Sequence, residues 1–417
     1  MSEFDKTPVA GNGLLDRRIF LRGSLIGGTA LLTASAGATT RESWMRSPGA
    51  PMDEIGEPSP HEAHVKRANV RSTTGTTGTG VSFTPHEHLD GIITPSRLHF
   101  ERHHSGIPDI DPDAHRLIIH GLVERPLSFS LDTLSRYPMV SRINFLECSG
   151  NSGSCLAPDP IQAPLSFYHG LVAGSEWGGV PLSALLDEVG VKPGAKWIVA
   201  DGADSPVMNR SVPLDKALDD AIVALYQNGE RLRPSNGYPM RLFLPGWEGN
   251  MSVKWLRTIK VVDQPAMSKD ETSKYSDLQP DGSSQLFTFP MGVKSLIRSP
   301  SHGMSLEEPG VYQISGIAWS GHGRIVRVEV SADGGKTWAD AALDDTVLSK
   351  NLTCFRSAWR WDGGPSTIMS RATDEQGYVQ PTRDSIIADR SVGNFYHYNG
   401  IQAWHVSKQG EVTHVYA

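Results

Sequence analysis

The last third of the chain alternates. Tyr312-Gln-Ile-Ser-Gly-Ile-Ala-Trp319 and Ile325-Val-Arg-Val-Glu-Val330 place apolar and polar residues on opposite faces of an extended backbone. Asp333-Gly334-Gly335 follows, with the residue types of a hairpin turn, and leads to Thr337-Trp338. Cys354 to Trp361 and Thr367 to Thr373 are further β-like runs. Short strands with Gly-rich turns over about 130 residues predict an immunoglobulin-like β-sandwich. Its span is residues 285–417.

The texture before it is mixed. Leu117-Ile-Ile-His-Gly-Leu122 and Trp197-Ile-Val-Ala200 read as strands, while Pro181 to Gly190 and Leu214 to Ala224 read as short helices. Regular strand–helix alternation is missing, so residues 86–284 are expected to form an α+β domain and not a doubly wound sheet. Residues 39–85 are rich in Pro, Ser, Thr and Gly, which predicts an extended N-terminal arm.

Residues 1–38 read as an address. Arg17-Arg18 with Phe20-Leu21, an apolar stretch from Leu25 to about Leu32 and Ala34-Ser-Ala36-Gly-Ala38 make a twin-arginine export signal with Ala-x-Ala cleavage sites within 34–40. A periplasmic destination follows. The apolar stretch is too short for a permanent membrane anchor. Twin-arginine transport carries folded proteins, which points to a cofactor inserted before export.

Charge and cysteine content narrow the function. Lys+Arg 39 against Asp+Glu 46 gives −7, which speaks against nucleic acid as a partner. The three cysteines, Cys148, Cys155 and Cys354, cannot build a disulfide scaffold or an iron–sulfur cluster. Without Cys-x-x-Cys-His, no covalent c-type haem is expected on this chain.

Four short elements carry chemistry. Leu146-Glu-Cys148-Ser-Gly-Asn-Ser152 sets a thiol at a strand-to-turn junction, as a nucleophile, a soft-metal ligand or simply a small buried hydrophobe. Phe100-Glu-Arg102-His103-His104 is a cationic cluster that could equally lie on the surface. In Gly237 to Trp255, Arg241 and Lys254 flank a turn built on Pro245, Gly246 and Gly249. Such glycines let amides approach an anion, with Arg as a planar fork and Lys as a point charge; the alternative is a hairpin with solvated charges. Lys274-Tyr275 sits in a polar loop ahead of the sandwich.

In this order the elements resemble the sulfite oxidase family of molybdenum enzymes, over about residues 85–410. Further family-like pieces are Glu176-Trp-Gly-Gly-Val-Pro-Leu182, Asn228-Gly-Glu-Arg-Leu232, Val293-Lys-Ser-Leu-Ile297, Ala318-Trp-Ser-Gly321 and Ala403-Trp-His405. The resemblance implies a molybdopterin-binding catalytic domain followed by a dimerisation sandwich. It implies Cys148 as the protein thiolate on a molybdenum–pyranopterin cofactor. His104, Asn236, Arg241, Ser252 and Lys254 would contact that cofactor. Tyr275 would steady the reactive oxygen and Arg102 would face the substrate.

The departures bear on substrate. Family members acting on free sulfite carry an Arg at the place of Gly153 and another at that of Asn399, within Tyr396-His-Tyr-Asn-Gly400. Asn236 stands where a His is usual, Met251 where an Arg is common, and Phe167 at the pocket Trp. Losing two cations should weaken a free dianion by roughly 1.5–3 kcal/mol each. This altered set resembles the sulfane dehydrogenase subunits of the thiosulfate-oxidising Sox system. It implies oxidation of a cysteine persulfide on a sulfur carrier protein, with electrons passed to a separate c-type cytochrome subunit. The implied assembly is a homodimer core in a heterotetramer. A free-sulfite dehydrogenase is the nearest alternative. Outside the family, the residues leave open an adhesion protein using the sandwich, and a zinc hydrolase built from His86, His88, His99, His103 and His104.

Overall fold

The computed structural model describes residues 8–17, 42–48, 50–71, 76–390 and 395–416. Arg18, the apolar stretch after it and the Ala-x-Ala motif of the expected export signal lie outside these residues. Among the described residues no helix is long and apolar enough to cross a membrane.

The first domain is built on two sheets. One has the order Leu127–Phe129, Leu117–Gly121, Leu256–Val262, Trp197–Gly202, Asn209–Pro213; Leu117–Gly121 runs parallel to Leu256–Val262 and the other neighbours are antiparallel. The other has the order Glu230–Arg231, Ile222–Gln227, Val172–Pro181, Val140–Glu147, with Arg241–Phe243 also paired to Ile222–Gln227. The helix Leu182–Val189 starts after Pro181 and stops at Gly190, whose φ of 68° suits a residue without Cβ. Its buried Leu182, Leu185, Leu186 and Val189 form one apolar stripe against the first sheet.

Two expectations need correction. The helix read from Leu214 to Ala224 ends at Asp219, and Ile222–Gln227 is a strand between two partners. Its apolar run is buried on both faces, where β-branched Ile222 and Val223 fit a sheet and helical spacing carries no information. The arm over residues 39–85 does not stay apart from the first domain to its end. Ala68–Arg71 and Gly80–Phe83 pair with each other, and Gly80–Phe83 pairs with Glu101–His103, the strand that carries Arg102.

The sandwich is present. One sheet has the order Lys294–Ser299, Gly310–Trp319, Thr353–Trp361, Ala342–Leu343, and the other Ala339–Asp340, Ile325–Ser331, Ser366–Asp374, Ala403–Val406, Val412–Val415. Ile314, Phe355 and Trp359 of the first meet Val328, Ile368 and Trp404 of the second in one core. The turn at Asp333-Gly334-Gly335 forms as read, with both glycines at positive φ and the Asp333 carboxylate accepting from the Thr337 amide at 2.9 Å and its hydroxyl at 2.6 Å. The two domains share apolar core: Phe145 and Val172 pack with Leu296, Ile317 and Trp319. All three cysteines are free thiols, with Cys155 and Cys354 buried.

Candidate active site

Cys148 follows directly on the strand Val140–Glu147, whose last four residues are buried. The chain then turns tightly. The Asn151 amide donates to the Cys148 carbonyl at 2.8 Å, and Ser152 takes a left-handed φ of 66°. A buried polar network backs this turn. Glu147 accepts from the Asn151 side chain at 2.8 Å and from the Trp319 indole at 2.7 Å, and lies 3.5 Å from the Lys294 ammonium. Lys294 donates in turn to the Ser152 hydroxyl at 2.6 Å and the Tyr398 carbonyl at 2.9 Å. A lysine of the sandwich therefore holds the loop of the first domain.

Two cavities meet at Cys148. The inner one, with about 740 Å³ of empty space, is lined by Asn236, Arg241, Ser252 and Lys254. The outer one, about 1100 Å³ and open to solvent, is lined by Phe83, Phe167, Lys274, Phe395 and Tyr396. Arg102, His104, Cys148 and Tyr275 line both.

The inner cavity is built for an anion. Arg241 is buried; it donates to the Asn236 carbonyl at 3.0 Å and the Ser252 carbonyl at 2.6 Å, and its Nε has no protein partner. Burial brings its pKa down to about 9. The Lys254 ammonium donates to the carbonyls of Arg102 and Ser235, each at 3.2 Å, and lies 2.9 Å from His103 Nδ1. Desolvation, with the nearby Arg241 charge, lowers its pKa to about 7. Cations made costly by burial are stabilised by a bound negative group. Gly249 packs so closely that a Cβ would lie 2.8 Å from the Glu147 carbonyl. A soft thiol beside one buried and one half-buried cation and an unpartnered donor fits a phosphate-bearing pterin with a thiophilic metal.

Across Cys148 the Tyr275 hydroxyl lies 2.9 Å from His104 Nε2. Burial keeps the phenol protonated, raising its pKa, and burial with the Arg102 charge lowers that of His104 to about 4. His104 is therefore neutral at physiological pH. With its proton on Nε2 it donates to the phenol oxygen and frees the Tyr275 O–H for the cavity; in the other tautomer it accepts that O–H. Burial also pushes the Cys148 thiol up in the absence of a metal.

The remaining expected residues divide. Phe167 is 42% exposed at the outer mouth, packed on Phe83. Gly153 and Asn399 line neither cavity. A Cβ on Gly153 would lie 2.5 Å from the Phe395 carbonyl, and the Asn399 amide donates to the Val293 carbonyl at 3.1 Å. The buried Asn236 side chain donates to Gln227 at 2.7 Å.

Other residues join the site that sequence reading did not single out. The buried Arg210 guanidinium stacks over Tyr275 at 5.1 Å and pairs with the buried Glu248 at 3.2 Å. Its Nε donates to the Met251 sulfur at 2.9 Å, so a guanidinium from another strand stands beside the position where the resemblance implies an Arg. Glu248 also lies 3.4 Å from His397. Glu248 and His397 sit inside motifs quoted from the sequence, the glycine turn and Tyr396–Gly400; Arg210 sits in none. Three further histidines of the zinc reading are engaged elsewhere: His86 bonds the Val172 carbonyl, His99 the Phe100 carbonyl and His103 the Glu101 carboxylate. Among the described residues no three His, Cys, Asp or Glu side chains group as metal ligands.

Comparison with known proteins identifies relatives of the chain. The family model for an oxidoreductase molybdopterin binding domain matches residues 104–269, and that for a Mo-co oxidoreductase dimerisation domain matches 286–403. Sulfite oxidase of Gallus gallus is 30% identical over 337 residues, covering 75% of this chain and 72% of that protein. NADH nitrate reductase of Ulva prolifera and mitochondrial sulfite oxidase of Mus musculus are each 30% identical over 70% of this chain, which spans only 38% and 58% of their lengths. The crystal structure of the sulfane dehydrogenase SoxCD from Paracoccus pantotrophus is 44% identical, with a TM-score of 0.88 over 91% of this chain and 98% of that one.

Proposed function

Because the chain belongs to the sulfite oxidase family of molybdenum enzymes, we propose that it is a molybdenum-dependent dehydrogenase that oxidises the sulfane sulfur of a carrier-bound cysteine persulfide. The observation that carries the substrate choice is the state of the two positions where arginines would bind a free dianion. Gly153 is covered by Phe395, and Asn399 is turned to Val293. The outer cavity keeps Arg102 and Lys274 and is otherwise aromatic and neutral. Such a mouth suits a peptide-borne persulfide better than a small dianion. The similar structure from Paracoccus pantotrophus, a sulfane dehydrogenase by title, supports the same reading.

The balanced change is R–S–S⁻ with three waters to R–S–SO₃⁻, releasing six electrons and six protons. Molybdenum–pyranopterin, when bound, supplies oxygen-atom transfer and takes electrons two at a time. Cys148 would be its protein thiolate, and Arg241, Lys254, Asn236 and Ser252 line the cavity for its pterin and phosphate. Tyr275 and His104 hold a proton between them beside the reacting atoms and can donate it to a developing negative oxygen. Arg102 lies between both cavities and offers its charge to the terminal sulfur. Phe83, Phe167 and Phe395 give the mouth an aromatic wall.

A c-type cytochrome subunit would take the electrons, and the sandwich would join two copies of the chain. The Arg17-Arg18 motif supports export to the periplasm by the twin-arginine route. The deciding experiment uses molybdenum-loaded enzyme with its cytochrome partner and follows cytochrome c reduction by free sulfite and by a persulfide-charged carrier. Turnover with the carrier and near silence with sulfite is the expected result. Rapid turnover of free sulfite would make it a sulfite dehydrogenase instead.

A further inference from the structure

The residues just ahead of the arginine pair are seated in the folded sandwich. Leu14 is 0% and Leu15 2% exposed, and Leu14 belongs to the same core as Trp359 and Trp361. The strand Thr353–Trp361 pairs with Gly310–Trp319 along its whole length on one side. On its other side Ala342–Leu343 covers only Phe355 and Arg356. Residues 9–15 add to the edge left open beyond. Leu14 bridges antiparallel to Trp359, and the Leu15 amide donates to the Ala358 carbonyl at 2.9 Å. This is strand addition to an exposed edge, where backbone bonds hold the segment and pockets select its side chains.

The fit is specific. Gly11-Asn12-Gly13 makes a tight turn, across which the Val9 amide donates to the Leu14 carbonyl at 2.7 Å. A Cβ on Gly11 would lie 2.1 Å from the Asp333 carboxylate, and one on Gly13, at φ 86°, 2.0 Å from the Arg360 carbonyl. Between them the Asn12 carbonyl accepts from the Trp359 indole at 2.6 Å, and its side chain donates to the Ala332 carbonyl at 2.8 Å. The Gly11 amide donates to the Thr337 hydroxyl at 2.7 Å. Arg17 lies 3.6 Å from Asp340. These partners come from the Asp333–Thr337 turn and two different sheets, so the site exists only once the sandwich has folded.

We propose that the second domain carries a binding site for the leader of its own precursor, filled by Val9–Leu15 through strand addition to Ala358–Trp361. It rests on reading residues 1–38 as an export leader. Docking ties the arginine pair to a folded chain. Removal of the leader ends the covalent link and its high effective concentration, so the segment leaves and the edge opens.

The test uses the full-length, molybdenum-loaded precursor accumulated in a host lacking the twin-arginine translocase. Hydrogen exchange read by mass spectrometry follows residues 8–15 and 355–361. The Leu15 amide is expected to exchange at least about 100-fold more slowly than in a synthetic peptide of residues 8–17. Leu14→Asp and, separately, Gly13→Val should abolish that protection and speed exchange at Ala358–Trp361, with molybdenum content and turnover unchanged. A Leu15 amide exchanging at the free-peptide rate overturns the site, as does protection that survives both variants. Export of an R17K/R18K chain is measured in parallel. Undiminished export there overturns the leader reading itself, and with it a precursor-specific site, even if residues 9–15 are protected.

Discussion

His104 and Tyr275, 171 residues apart in the chain, meet at 2.9 Å beside Cys148. The phenol is buried and protonated, the imidazole half-buried and neutral. Tyr275→Phe removes the only O–H of this pair while keeping the ring against Tyr396 and Arg210. We expect kcat to fall about 10²–10³-fold, as for loss of one preorganised donor, with molybdenum content unchanged. Steady-state kinetics on metal-quantified enzyme decide it; an unaltered kcat would remove Tyr275 from the proton path.

Lys254→Met deletes a half-buried cation of the inner cavity. Loss of a charge-assisted bond to a bound phosphate costs about 1.5–3 kcal/mol, or roughly 10–150-fold in cofactor affinity. Pterin content per chain, measured after oxidative release, should drop accordingly. Full pterin occupancy at limiting cofactor supply would show that Lys254 faces no phosphate.

Lys294→Met leaves Glu147 buried without its cation, while Trp319 and Asn151 still bond it. Breaking a buried pair from one side costs about 3–5 kcal/mol. Denaturant unfolding of the variant should show that loss, and Glu147→Gln combined with Lys294→Met should recover part of it. If the double variant were as unstable as the sum of both singles, the pair would carry no coupling.

Stability should decline in mild acid. Burial, with the Arg298 charge, lowers the His86 pKa to about 3, and burial lowers that of His99 to about 4. Both folded values lie below the ordinary 6.5, so between about 6.5 and these values the unfolded chain binds protons that the folded chain refuses. Stability is complete above about pH 6.5 and is lost as pH falls, by about 1.4 kcal/mol per unit for each histidine. Unfolding midpoints of His86→Gln should depend less steeply on pH between 6.5 and 4. An identical slope would mean that His86 is not the neutral buried group described.

The fold was largely legible because its signals are local. Alternation and the Asp333-Gly-Gly turn specify a sandwich, and Leu182 to Val189 carry a helix period between Pro181 and Gly190. The start of Ile222–Gln227 falls inside the helix read from Leu214 to Ala224 because a strand buried on both faces has no period to offer. At the site, Cys148, Arg241, Lys254 and Tyr275 could be picked out from short motifs. Arg210, Glu248 and His397 could not, since their association depends on three segments brought together by packing. Nor does a sequence show that Phe395 lies over Gly153, a contact across 242 positions.

The partition at Cys148 has a consequence for how such a protein can diverge. With the cofactor in the inner chamber and the substrate in the outer one, as proposed, a few side chains separate a chamber that must stay constant from one whose occupant can vary. Changes at Phe167, Lys274 or Phe395 alter the outer chamber alone. A lineage can therefore change its diet by editing the vestibule while inheriting the reactor intact.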